Sequence, residues 1–168
     1  MKEIGLFYGS TYGMTETVAR KIQSAFRKFR VMLHNVKDAS ADLPEKYDFL
    51  LFGTSAWGIG EMQSDWENWV FSLGKMDFSG KKVALFGLGD QKKFPDSFAD
   101  GLGKLYSHLP DKSVVVGEWP LDGYSYHASL AEKNGRFVGL VLDENNQKDR
   151  TDERIRRWVD QLEKEFSD

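Results

Sequence analysis

Apolar positions along the chain switch between two periods. Glu3–Tyr8 is a short apolar run closed by Gly9, which reads as a buried strand. Val18, Ile22, Ala25, Phe26 and Phe29 then recur at helical spacing and predict an amphipathic helix over Gly13–Phe29. Arg30–Asn35 reads as a second strand, and Tyr47–Gly53 as a strand buried on both faces. Trp66, Trp69, Val70 and Leu73 predict a short helix, Lys82–Gly87 a further strand, and Phe98, Leu102, Leu105 and Leu109 another helix. Val114–Trp119 and Phe137–Leu142 are both strand-like, with no helical pattern between them. Ile155, Trp158, Val159, Leu162 and Phe166 predict a C-terminal helix whose positive N-terminal end is favoured by Asp152 and Glu153.

Near-continuous apolar strands alternating with helices imply an α/β fold with a parallel sheet covered on both faces. No repeat, linker or low-complexity run interrupts the pattern, so a single domain over residues 1–168 is expected. In open sheets of this kind ligands sit beyond the carboxyl ends of the strands, where the winding reverses. That directs attention to Gly9–Thr15, Thr54–Ser64 and Leu88–Asp96.

Composition narrows the chemistry. The chain has 168 residues, 40% hydrophobic and 29% charged, which suits a globular protein with one core. It contains no cysteine, which excludes disulfides, thiolate chemistry and cysteine-held iron–sulfur clusters. No stretch approaches the roughly 20 apolar residues of a membrane helix, and the N-terminus lacks a signal peptide's apolar core, so a cytoplasmic location away from membranes is expected. A net charge of −3 disfavours nucleic-acid partners. Aromatics at 14% suit either a well-filled core or rings facing a flat ligand. His34, His108 and His127 have no acidic companions at ligand spacing, so no metal site is expected. Asp143, Glu144, Asp149, Asp152 and Glu153 read as a solvated surface that could add to an acidic docking face for basic partners.

The segment Gly9-Ser10-Thr11-Tyr12-Gly13-Met14-Thr15 joins a strand to a helix start. Unpaired helix N–H groups, close-approaching glycine and Ser/Thr hydroxyls can cradle a phosphate, although the same residues could simply cap the helix. The loop holds no Lys or Arg, and neither Gly-x-x-x-x-Gly-Lys-Ser/Thr nor Gly-x-Gly-x-x-Gly is present. Nucleotide hydrolysis and ordinary dinucleotide binding are therefore poor fits, while a permanently held monophosphate suits neutral donors.

Ser10-Thr11-Tyr12-Gly13-Met14-Thr15 resembles the phosphate-loop signature of the flavodoxin family, Thr/Ser-x-Thr-Gly-x-Thr. Residues 57–66, 87–91, 119–124 and 137–147 are similar to further blocks of that family, so the likeness runs in order along essentially the whole chain. The resemblance implies an open five-stranded parallel sheet of order 2-1-3-4-5 with helices on both faces. It also implies a last strand split by an insertion around Pro120–Gly135, as in the long-chain branch.

A flavodoxin carries single electrons at low potential with non-covalently bound flavin mononucleotide (FMN) and is not an enzyme. The resemblance implies a flavodoxin/ferredoxin–NADP reductase as donor, redox enzymes as acceptors, and a monomer. It assigns Ser10, Thr11, Tyr12, Gly13, Met14 and Thr15 to the phosphate, and Ser55, Ala56, Trp57, Gly58, Ile59, Gly60, Leu88, Gly89, Asp90 and Phe94 to the rest of the flavin. Trp57, in a Gly-rich loop, is expected on one ring face, with Phe94 on the other where the family places tyrosine. Asp90 and the Gly89–Gln91 backbone are expected at the ring's polar edge. Gly58 would let its peptide turn toward the flavin at little conformational cost, favouring a neutral semiquinone.

Tyr12 departs from the family by replacing a hydroxyl residue that helps hold the phosphate. Lys92 and Lys93 add positive charge beside Phe94, which would either ease the negative charge of reduced flavin or form a solvated loop. The competing reading is an FMN-dependent NAD(P)H:quinone reductase, which needs open space above the ring. A module of this fold that has lost its cofactor is left open by Tyr12 and Phe94.

Overall fold

The structure, a computed structural model, describes residues 1–57 and 61–168, with the backbone alone for Ala56 and Trp57. In chain order it contains β1 (Lys2–Tyr8), α1 (Met14–Ala25), β2 (Phe29–Asn35), β3 (Phe49–Trp57), β4 (Glu61–Met62), α2 (Ser64–Leu73), β5 (Lys82–Leu88) and α3 (Asp100–His108). These are followed by β6 (Val115–Val116), β7 (Trp119–Pro120), β8 (Glu132–Lys133), β9 (Arg136–Phe137), β10 (Leu140–Leu142) and α4 (Lys148–Glu165).

The main sheet runs β2-β1-β3-β5 in parallel, with β6 and β10 both laid along the outer edge of β5. Val115 and Val116 pair with Val83 and Ala84, and Leu140, Val141 and Leu142 pair with Phe86, Gly87 and Leu88. The fifth position of the sheet is thus one strand in two pieces, the 2-1-3-4-5 order with a split last strand. The chain between the pieces forms a small antiparallel sheet, β7-β9-β8. Helices α1 and α4 pack together, as do α2 and α3, the latter pair flanking β3–β5. Ile4–Tyr8 and Leu50–Phe52 are buried on both faces because each face meets a helix layer. Phe7, Phe52, Phe86, Trp66 and Trp158 are wholly buried between sheet and helices.

Several predicted boundaries move. The first helix ends at Ala25, not Phe29, because Phe26 is extended and the Glu163 carboxylate accepts the next backbone N–H groups, Arg27 at 3.0 Å and Lys28 at 2.6 Å. Phe29 opens β2 instead. Strand β3 runs on to Trp57, past the predicted end at Gly53, because its tip pairs antiparallel with β4 (Ala56 with Met62, Trp57 with Glu61). Trp57 therefore has strand register, contrary to the loop expected for it. Val114–Trp119 is two strands in two sheets, Val115–Val116 and Trp119–Pro120, and Phe137 and Leu140–Leu142 divide in the same way. Among the described residues no helix is long and apolar enough to cross a membrane.

One titratable ring is built into the β1–β2 surface. His34 stacks on Phe7 at 4.8 Å, its Nε2 lies 2.7 Å from the Tyr47 hydroxyl, and burial pushes its imidazole below the usual value. The folded chain thus resists a proton that the unfolded chain takes up at pH about 6.5. Stability is full above that pH and falls as pH drops through it toward the lower folded value. In urea titrations from pH 8 to 5, the stability advantage of the parent over His34→Gln is expected to shrink below pH about 6.5. An advantage independent of pH would contradict this.

Candidate functional site

The ends of β1, β3 and β5 open into one cleft at the point where the sheet order reverses. Its first wall is the loop before α1, with Ser10, Thr11, Tyr12, Met14 and Thr15; Ser55 lies on its floor. Its second wall is the segment after β5, with Leu88, Gly89, Asp90 and Phe94. The structure therefore brings these predicted residues together. Gly13 stands just outside as the N-cap of α1. Gly58, Ile59 and Gly60, and the side chains of Ala56 and Trp57, lie outside the described residues. Ser97, Ala99, Glu144 and Asn145 also line the cleft and were not anticipated.

The first wall is shaped to leave donors open. Ser10 Oγ accepts hydrogen bonds from the N–H groups of Gly13 (3.0 Å) and Glu16 (3.4 Å), and its own proton remains available to donate. Gly13 has φ 85°, a left-handed conformation that glycine adopts without a steric penalty. The first helical bond runs from Thr17 N–H to Gly13 O at 3.0 Å. The Met14 and Thr15 N–H groups precede it and have no acceptor within the helix. They sit at the positive end of the helix dipole, beside the hydroxyls of Thr11 and a buried Thr15. Ser10 does cap the helix, but that uses only its acceptor capacity. Tyr12 is 81% exposed at the cleft mouth.

Gln63 holds this loop and was missed. Its buried side chain accepts from Asp65 and Trp66 N–H, capping α2, and donates to Thr11 Oγ1 at 3.1 Å. It fills the space beside Gly9, where an added Cβ would lie 2.1 Å from Gln63 Oε1. A lone Gln before a helix carries no local signal that its partner is a loop far away in sequence.

The second wall is held by carboxylates. Asp90 accepts N–H groups of Lys92 (3.2 Å) and Lys93 (2.9 Å) and the amides of Asn145 (3.1 Å) and Asn146 (2.7 Å). Burial alone would push its carboxyl up, but these donors outweigh that and hold it below the usual carboxylate value. The Asp90 side chain thus serves the turn. Gly89 N–H donates to Leu142 O, and Gln91 N–H to Asp143, so these two backbone donors already have partners within the chain. Phe94 is half-buried in the wall, with Lys93 Nζ 5.5 Å from its ring centroid; Lys93 does not line the cleft. Asp143, expected on a solvated surface, is wholly buried beneath this wall.

Hydroxyls and a helix start on one wall and an apolar stretch on the other, at the switch point of a doubly wound sheet, make a cleft of the kind that takes a phosphate-bearing flat ligand. The family model described as Flavodoxin matches residues 6–158. The chain is 47% identical to a flavodoxin of Nostoc sp. over 98% of both chains. It is 44% identical to flavodoxin 1 of Azotobacter vinelandii over 99% of this chain and 98% of that one. The crystal structure of Fusobacterium nucleatum flavodoxin bound to flavin mononucleotide matches with a TM-score of 0.91 at 36% identity, covering 98% of this chain and 99% of that one. The chain belongs to the flavodoxin family.

Gly9 and Gln63 occupy one space, so their substitutions are expected to couple. Gly9→Ala alone forces Gln63 out of its capping position, and Gln63→Ala alone removes the cap and costs about 0.5–2 kcal/mol. The double variant should lose clearly less stability than the sum of the singles in thermal or urea unfolding. Additive losses would show that the two positions are independent.

Proposed function

We propose that the protein holds one FMN in this cleft and carries single electrons at low potential between a reductase and acceptor redox enzymes. Flavodoxins are electron-transfer proteins, not enzymes. The observation that carries the reading is the pairing of an uncharged donor cradle with an aromatic-sided slot. Ser10, Thr11, Tyr12, Gly13, Met14 and Thr15 would hold the phosphate. Ser55, Ala56, Trp57, Gly58, Ile59, Gly60, Leu88, Gly89, Asp90 and Phe94 would surround the remainder. The donor set fits: hydroxyls and N–H groups suit a phosphate, the Phe94 ring and Leu88 suit a flat apolar body, and the Asp90 N–H suits a polar edge. Bound FMN supplies the one-electron chemistry.

The chain's own residues bias the potential. Asp90 and Glu144 line the cleft and Asp143 lies beneath it, so negative charge gained by a bound ring is disfavoured. Lys93 on Phe94 opposes that bias from outside the wall. A flavodoxin/ferredoxin–NADP reductase as donor, a monomeric state and a cytoplasmic setting complete the proposal.

The decisive test is stepwise anaerobic reduction of the FMN-loaded protein. A transient long-wavelength absorbance midway is expected; direct bleaching, or no uptake of FMN, would overturn the carrier reading. Thr15→Val keeps the side-chain shape and removes one hydroxyl from the cradle. It should weaken FMN by roughly tenfold or more, as for loss of a hydrogen bond to a charged group, and leave riboflavin binding unchanged. Redox titration of Lys93→Ala should give a lower potential for the last electron, and the difference should shrink with added salt. An unchanged potential would make Lys93 a solvated loop residue only.

A further inference from the structure

Outside the cleft lies a buried charge whose donors come from both sides of the ring-side wall. Asp143 has no accessible surface, and among the described residues no cation lies within ion-pair distance of it, although the Arg154 guanidinium is near enough to feel its charge. Its carboxylate is met instead by neutral donors. Gln91 supplies its backbone N–H at 3.0 Å and its Nε2 at 2.8 Å, Asn146 its backbone N–H at 3.0 Å and its Nδ2 at 2.9 Å, and Asn145 its backbone N–H at 3.1 Å. A carboxylate buried this way is tolerated only where such donors converge, because an unmet buried charge is very costly. The charge therefore selects one arrangement of the two segments that supply the donors.

Those two segments form the wall. Gln91 lies between Asp90 and Phe94, and Glu144 and Asn145 also line the cleft, Glu144 reaching round beside Tyr12 and Met14. Neither stretch has a helix or strand to fix it. Asn146 Nδ2 bridges Asp143 to Asp90, and Gln91 Oε1 accepts the Ser125 N–H at 2.7 Å from the insertion. Asp143 itself does not line the cleft.

We propose that Asp143 is the positioning residue of the ring-side wall, acting through Gln91 and Asn146 to set how well the cleft takes the flavin ring and not its phosphate. The assignment rests on the FMN reading above. It separates the two halves of the ligand: loss of Asp143 loosens the ring's wall and leaves the cradle before α1 intact.

The test uses the full chain stripped of flavin, with FMN, riboflavin and inorganic phosphate as probes. Asp143→Asn puts an amide N–H₂ among donors and should weaken FMN and riboflavin by the same factor, roughly tenfold or more. Phosphate affinity should be unchanged, and the visible circular dichroism of the bound flavin should change. Gln91→Ala removes one donor to Asp143 and the acceptor for Ser125, and should act in the same direction more weakly. If Asp143→Asn does not fold, Gln91→Ala decides. Flavin affinities within about twofold of the parent would overturn the assignment. So would phosphate affinity falling in step with them, which is the mark of general loosening. A parent that binds phosphate but neither flavin overturns the cofactor reading itself, and this assignment with it; failure confined to the variants does not touch that reading.

Discussion

Backbone N–H groups left open for a ligand are costly to a folded chain, and the cleft is organised around that constraint. The N–H groups of Met14 and Thr15 in the first turn of α1 have no acceptor within the helix, while those of Gly13 and Glu16 on either side of them are satisfied. Ser10 takes the N–H groups of Gly13 and Glu16, and Gln63 presses on Gly9 from α2. The Met14 and Thr15 donors need a partner from outside the helix, and the surroundings that present them are fixed. The hydrophobic core supplies the fixing: Trp66, wholly buried, donates its indole N–H to Gly53 O at 2.7 Å, tying the helix capped by Gln63 to the middle of β3.

The two walls meet this constraint by different means, and the difference shapes the electrostatics. On the cradle side a helix end supplies partial positive charge without a Lys or Arg, which suits a phosphate held permanently. On the other side no helix begins, and side-chain carboxylates hold the turns: Asp90 gathers the N–H groups of Lys92 and Lys93, and Asp143 those of Gln91, Asn145 and Asn146. The same carboxylates that hold the wall surround it with negative charge. Structural support and negative charge beside the cleft therefore come from one set of atoms, which makes the two hard to change separately. Lys93 is placed to change one without the other, since its ammonium lies over Phe94 while its backbone stays in the Asp90 turn.

What could be read from the sequence was what is local. Apolar period separated strands from helices, and the Gly-Ser-Thr run between β1 and α1 marked the helix start at the cleft, because the loop and the first turn lie within one short stretch. Gln63 and Asp143 escaped because their partners are remote. Gln63 reads as an ordinary polar residue until the fold sets it beside Gly9 and Thr11. Asp143 sits in an acid-rich run, and acidic residues are seldom fully buried, so a solvated surface was the natural expectation. The extension of β3 to Trp57 was hidden because β4 is too short to carry a period of its own. Phe26 and Phe29 kept helical spacing but lie beyond the helix, because Glu163 of α4 turns the chain there.

The insertion shows how this arrangement tolerates added chain. Strands β6 and β10 take successive places along β5, Val83–Ala84 and Phe86–Leu88, so the sheet is closed whether or not the chain between them is long. The added segment builds its own aromatic cluster, with Tyr126 and Phe137 against Phe98. Tyr124, its hydroxyl donating to Val141 O, lies beneath the Arg154 guanidinium at 4.1 Å. Burial pushes the Tyr124 phenol up to about 12, so that hydroxyl stays a donor throughout the physiological range. The added segment meets the stretch after β5, where Ser125 N–H donates to Gln91, and His127 and Ala128 N–H donate to Pro95 O. The Gln91 side chain thus joins three parts of the chain, donating to Asp143 and accepting from Ser125, without involving the backbone donors before α1.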